Sequence, residues 1–144
     1  MIRLVFIITA LLATGAARAQ TADEYRDRQR DLAALASVFG ELHHIRRLCE
    51  PRLESDVWRE RMKRLVELEQ PQPEAHEELI KRFNNGYRNA GDHFARCDRR
   101  ARDYAAGRAR YAQRVVRNLA EPLREAAASE TFLVTVPQAT DDTD

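Results

Sequence analysis

The chain predicts an all-α protein: an antiparallel helical hairpin or small bundle of three (or four) helices, closed by one disulfide. Three observations predict it. Apolar residues recur every three or four positions over most of the chain, and alternating apolar runs are missing before Thr131. Gly and Pro, the usual punctuators, number only five each among 144 residues. Two cysteines, Cys49 and Cys97, follow an N-terminal segment that reads as an export signal, and a pair in an oxidising compartment reads as a disulfide.

That segment is MIRLVFIITALLATGAARAQ. Arg3 supplies a positive start, Leu4 to Ala13 an apolar stretch too short for a comfortable membrane span, and Ala17-Arg18-Ala19 a cleavage site. Residues 1–19 are therefore a signal peptide, and the expected location is the periplasm. No cysteine follows the cleavage site to carry a lipid. The mature chain from Gln20 loses Arg3 and Arg18, so 22 basic side chains stand against 23 acidic ones, a net charge of −1. No global basic excess points to nucleic acid or to an anionic membrane, and no stable membrane span remains after cleavage. One third of the residues are charged and mixed in sign, as on long solvated helices.

The first helix is expected from Ala22 to Leu48, capped by Thr21 or Asp23. Its stripe is Leu32, Leu35, Val38, Phe39, Leu42 and Ile45. The leading DEYRDRQRD is polar nearly all round. A second helix is expected from Asp56 to Glu69, with Ser55 as cap and Trp58, Met62 and Leu65 on one face. Pro71 and Pro73 end it. A third starts at Pro73, with Glu74, Glu77 and Glu78 at the positive end of its dipole. Its stripe of Leu79, Phe83, Tyr87, Ala90, Phe94, Cys97, Ala101, Tyr104, Arg108, Tyr111, Val115 and Leu119 either continues to Glu121 or bends near Cys97-Asp98, and Pro122 stops it. The helical domain is 20–128. Residues 129–144, ending in TDDTD, read as a disordered acidic tail.

Asn84-Asn85-Gly86 interrupts this third stripe with poor helix formers. In a hairpin turning near residues 71–72, positions summing to about 143 face each other. Trp58 then faces Asn85, so Gly86 makes room for the indole and the Asn amides meet its N–H. Cys49 falls one turn from Cys97. Their bridge would add roughly 4 kcal/mol by chain-entropy arithmetic. The first helix lies beside this hairpin, or packs on residues 98–121 and leaves a thin molecule that homodimerises.

Sites for chemistry are sparse. His43 and His44 are adjacent and point about 100° apart on a helix. His76 sits in a first turn. His93 precedes Cys97 by one turn, a metal-capable spacing only while the thiol is free. No H-E-x-x-H, C-x-x-C or phosphate-binding glycine loop occurs, so no metal and no cofactor is assigned. Ser37, Ser55 and Ser129 lie in no nucleophile turn. Asp92 and Arg96 read as an i, i+4 ion pair. Arg88 is placed to close on Glu54 or Asp56, or to project toward a partner.

The pieces WRERMKRL (58–65) and FNNGYR (83–88), with the two distant cysteines, resemble an uncharacterised family of small exported alphaproteobacterial proteins. The residues carrying the likeness are Trp58, Arg59, Arg61, Met62, Leu65, Phe83, Asn84, Gly86, Tyr87, Arg88 and Cys97, with Tyr104 and Gly107. Asp98 and Ala106 depart from the pattern. The resemblance spans roughly residues 30–120 and implies export and a disulfide, but no activity. The expectation is a non-enzymatic periplasmic protein that binds another envelope protein, as a regulator or scaffold connected with the cell wall. A periplasmic stress chaperone or metal-sensing hairpin is the alternative, although the L-T-x-x-Q type of motif is missing. A wall hydrolase would need two carboxylates across a cleft.

Overall fold

The computed structural model describes the backbone of residues 2–52 and 56–133, and side chains within 22–52 and 56–128. Four helices follow in order: α1 (Ile2–Cys49), α2 (Val57–Glu69), α3 (Pro73–His93) and α4 (Arg99–Leu133). No strand occurs among the described residues. The all-α class stands, with one disulfide, Cys49–Cys97.

The arrangement is built around α1. The other three helices each pack along it, and their backbones lie closer to it than to one another. Position on α1 shows their directions. Ser37 meets Gly86, His44 lies beside Gly91, and Cys49 is bonded to Cys97, so α3 runs parallel to α1. Phe39 packs on Trp58 while Arg28 reaches Glu69, so α2 runs antiparallel. Glu41 binds Arg108 while Arg28 reaches the Leu119 carbonyl, so α4 is antiparallel too. Of the two places expected for the first helix, it takes both: it lies beside the α2–α3 hairpin and packs on α4. Leu32, Leu35, Ala36, Val38, Leu42 and Ile45 are buried on α1. Its covered segment is apolar nearly all round because it has neighbours nearly all round.

Two clusters make the core. Leu35, Val38 and Leu42 meet Ala112 and Val115 of α4, with Phe39 and Trp58 packed on them. Leu32 and Ala36 meet Met62 of α2 and Leu79 of α3. The α2–α3 turn closes with Gln70 in the left-handed region (φ 43°), where its N–H donates to the Val66 carbonyl. Pro73 stands in the first turn of α3, as expected.

Several boundaries differ from expectation. α1 begins at Ile2 and runs through the segment read as a signal peptide, so neither Thr21 nor Asp23 starts a helix. Asp56, rather than Ser55, precedes α2 as its cap residue; Ser55 lies outside the described residues. The long third stripe breaks between His93 and Arg99. There Asp98 caps α4, its carboxylate accepting from the Ala101 N–H at 2.9 Å. The Phe94 carbonyl accepts from His44 Nε2 at 3.0 Å. The break also removes the i, i+4 geometry expected of Asp92 and Arg96, and they form no ion pair. Pro122 does not stop α4, which passes through it to Leu133. A proline strips one N–H from the helix ladder. Side-chain donors reach the carbonyls on both sides of the gap, Arg124 to Arg117 at 3.1 Å and Arg28 to Leu119 at 3.4 Å. Ser129–Leu133 is therefore helical rather than tail, and the remainder of the expected tail, residues 134–144, lies outside the described residues.

Candidate functional site

The Asn-Asn-Gly stretch does not receive the indole. A Cβ on Gly86 would stand 2.1 Å from the Ser37 carbonyl oxygen, and one on Gly40 would stand 1.9 Å from the Phe83 carbonyl oxygen. Both glycines let the backbones of α1 and α3 touch. Trp58 lies level with Gly86 but elsewhere around α1: it packs on Phe39, ring centroids 5.6 Å apart, and carries Arg61 over its ring at 4.4 Å. Phe39 and Ser37 are two residues apart, so they point about 200° apart around α1. The level expected from the hairpin is right; the contact is not, because α1 stands between.

The family-like residues therefore divide. Gly86 is in the α1–α3 seam. Phe83 and Tyr87 line the same seam and stack on His43, at 5.8 and 5.5 Å, while His44 meets Tyr87 edge-on at 5.2 Å. Met62 is core. Asn84, Arg59 and Arg88 are exposed. Arg88 donates to Asn85 Oδ1 of its own helix, and does not close on Asp56; Glu54 lies outside the described residues. Cys49 and Cys97 are bonded to each other, so His93 has no thiolate beside it; its Nδ1 lies 2.7 Å from the Asn89 carbonyl oxygen. Among the described residues, no group of three or more His, Cys, Asp or Glu side chains converges on a metal-sized point.

A buried polar network was missed by sequence reasoning. Glu41 is only 7% exposed. Arg108 grips both its oxygens, with Nη2 at 3.0 Å from Oε1 and Nε on Oε2. Tyr104 donates its hydroxyl to Oε2 at 2.8 Å, and Ser37 donates to Oε1 at 3.3 Å. Burial and the hydrogen bond to Glu41 push the Tyr104 phenol up from 10.0 to about 12. The signal was legible: Glu41 sits between Val38 and Ile45 at stripe spacing, and Arg108 sits in the α4 stripe. A charge at a stripe position calls for a partner. The network is a satisfied structural tie between α1 and α4.

Between α2 and α4, two depressions lie over α1 among the described residues. One depression of about 470 Å³ is lined by Leu42, Ile45, Cys49, Trp58, Arg102, Ala105 and Ala109, with Arg46 and Glu50 at its edge. A second, of about 410 Å³, is lined by Leu35, Phe39, Trp58, Arg61, Ala109, Ala112, Gln113, Val116 and Arg117. Trp58 and Ala109 are common to both, so the two form one groove with the indole as a ridge. Its floor is the apolar face of α1 and its rim is largely arginine. The arrangement suits binding: a concave apolar surface with charges at the edge.

A family profile described as "Protein of unknown function (DUF2385)" matches residues 27–122. The match takes in both cysteines, the glycine seam, the Glu41 network and the groove. No curated protein and no solved structure matches the chain.

Proposed function

This chain belongs to the DUF2385 family of proteins of unknown function, and we propose that it is an exported, non-enzymatic binding protein that engages another protein of the cell envelope. The observation that carries this reading is the groove beside Trp58, open between α2 and α4 over Phe39, Trp58, Ala109 and Val116, with buried side chains of the central helix beneath it. Apolar floor with a polar rim is the anatomy of a protein-binding surface. This moves the expected working surface from Arg88 to the opposite side of α1. The envelope setting rests on the N-terminal segment, residues 1–19, read as a cleaved signal for the periplasm. A role as regulator or scaffold follows from binding without a reaction.

Photo-crosslinking in living cells tests the reading, with the probe at groove residue Gln113, a second probe at Arg88 and a control at Arg110 on the outer side of α4. A discrete protein adduct at 113 and not at 110 supports it. An adduct at 88 alone returns the working surface to α3, and adducts at none of the three sink the binding role. Sequencing the protein from a periplasmic extract tests export: a start near Gln20 is expected, and a start at Met1 in the cytoplasm refutes it.

A further inference from the structure

We propose that the groove takes one face of an acidic amphipathic helix from the partner protein, with two bulky apolar side chains seven residues apart that seat on either side of Trp58. This rests on the groove being the working surface and adds the chemistry of its occupant.

Shape comes first. Along α4 the groove runs from Arg102 to Arg117, about 22 Å, or four turns of a helix. The wall is built from Ala105, Ala109 and Ala112, whose small side chains allow close approach of another helix. The two depressions are centred about eight α4 residues apart, roughly 12 Å, a little over two turns of a helix. Anchors at i and i+7, the same-face spacing used in helix-in-groove recognition, come within about one residue of it. The residue between the anchors must be small, because the indole ridge stands beneath it.

Charge selects the sign. Arg61, Arg102 and Arg117 stand on the rim, and none has a carboxylate within ion-pair reach among the described residues; Arg46 is held by Glu50 at 2.7 Å. The positive surface continues over the outer side of α4 through Arg110 and Arg114. From 99 to 117 the one acidic residue is Asp103, which pairs with Arg99 at 3.6 Å. Such a rim attracts and orients an acidic segment and repels a basic one. Arginine also offers carboxylates a two-pronged donor.

Trp58 is the only tryptophan in the chain, so its fluorescence reports occupancy. The probe is a synthetic helix-forming peptide of about 15 residues, with leucines at i and i+7, alanines between them and glutamates on the flanks. Its control carries lysine for every glutamate. With the oxidised mature protein, the acidic peptide is expected to shift Trp58 emission saturably, with affinity falling as salt rises, and the lysine peptide to leave it unchanged. The double variant Arg102→Glu/Arg117→Glu is expected to weaken binding about tenfold or more while its thermal midpoint stays put, since both side chains are exposed. Equal binding of the two peptides, no shift with either, or an unaltered affinity in the variant overturns the proposal. So does self-association that shifts Trp58, or a shift with phosphatidylglycerol vesicles and not with the acidic peptide. A Gln113 adduct in cells without acidic-peptide binding leaves the binding role standing and removes only this chemistry; no adduct removes both.

Discussion

Gly86 of α3 lies directly against the carbonyl of Ser37 on α1, with room for a hydrogen and not for a methyl group. Gly40 repays the contact on the Phe83 carbonyl, so two backbones meet where no side chain intervenes. The atoms a new Cβ would strike are backbone and have no rotamer to escape into. Gly86→Ala and Gly40→Ala are each expected to destabilise by about 3 kcal/mol or more, at the upper end for overpacking. Gly107→Ala is the control: its Cβ would meet only Arg110 Nη2 at 4.0 Å. It should stabilise by roughly 0.5–1 kcal/mol through helix propensity. Urea unfolding with an unchanged m-value checks all three, and a harmless Gly86→Ala would refute the backbone seam.

Glu41 and Arg108 are matched charges, one buried and one half-buried. Arg108→Ala leaves the carboxylate with only hydroxyl donors and should cost about 3–5 kcal/mol. Replacing both, as Glu41→Leu/Arg108→Met, should recover most of that loss. A double variant no more stable than Arg108→Ala would show that the pair is not coupled.

Tyr104 gives the network a pH signature. Its folded pKa is raised to about 12 from 10.0, so the neutral phenol is favoured in the folded state. The contribution is fully present below pH 10 and is lost as pH rises toward 12, because the unfolded chain ionises first. Stability should fall across that window, and the fall should be shallower in Tyr104→Phe. Identical slopes from chemical denaturation at stepped pH would remove Tyr104 as the cause. The ring is about one-third exposed, and solvent screening keeps the effect small.

The Cys49–Cys97 bridge joins the end of α1 to the α3–α4 break across 48 residues of sequence. Removing it as Cys49→Ala/Cys97→Ala should lower stability by up to about 4 kcal/mol, mainly by freeing the unfolded chain. The α1–α3 seam should persist in the folded fraction, since Gly40 and Gly86 lie two or more turns from the bridge. Amide exchange around Gly86 is the check: loss of protection there at low denaturant would make the bridge the organiser of the seam.

Arg28 ties three helices, meeting Glu69 with one nitrogen at 2.8 and 2.9 Å from its two oxygens and the Leu119 carbonyl with another at 3.4 Å. A double-mutant cycle for Arg28 and Glu69 should give about 1 kcal/mol. The exposed Asp27–Arg30 pair should give close to nothing. Equal coupling energies would contradict the part played by burial.

The sequence by itself determined the class and the closure. Apolar spacing made every element helical, and Gln70 to Pro73 placed the α2–α3 turn. The two cysteines named the disulfide, and the break near Cys97-Asp98 was one of two readings that the unbroken stripe left open. It also set Trp58 level with Gly86, because level follows from rise per residue and turn position, which are properties of one chain read along its length. What stands beside what was decided by tertiary structure. Direction around a helix depends on which faces come close, and Gly40 with Gly86 let α3 settle on α1 more tightly than any other pair could. That put α1 in the centre, sent Trp58 and Gly86 to different faces of it, and gave Glu41 its cation from a helix 67 positions away. The groove has the same origin: α2, 13 residues long, packs on α1 and not along α4, so a gap remains between α2 and α4 among the described residues. No local pattern encodes such a gap, because it is the space left between elements that each obey their own.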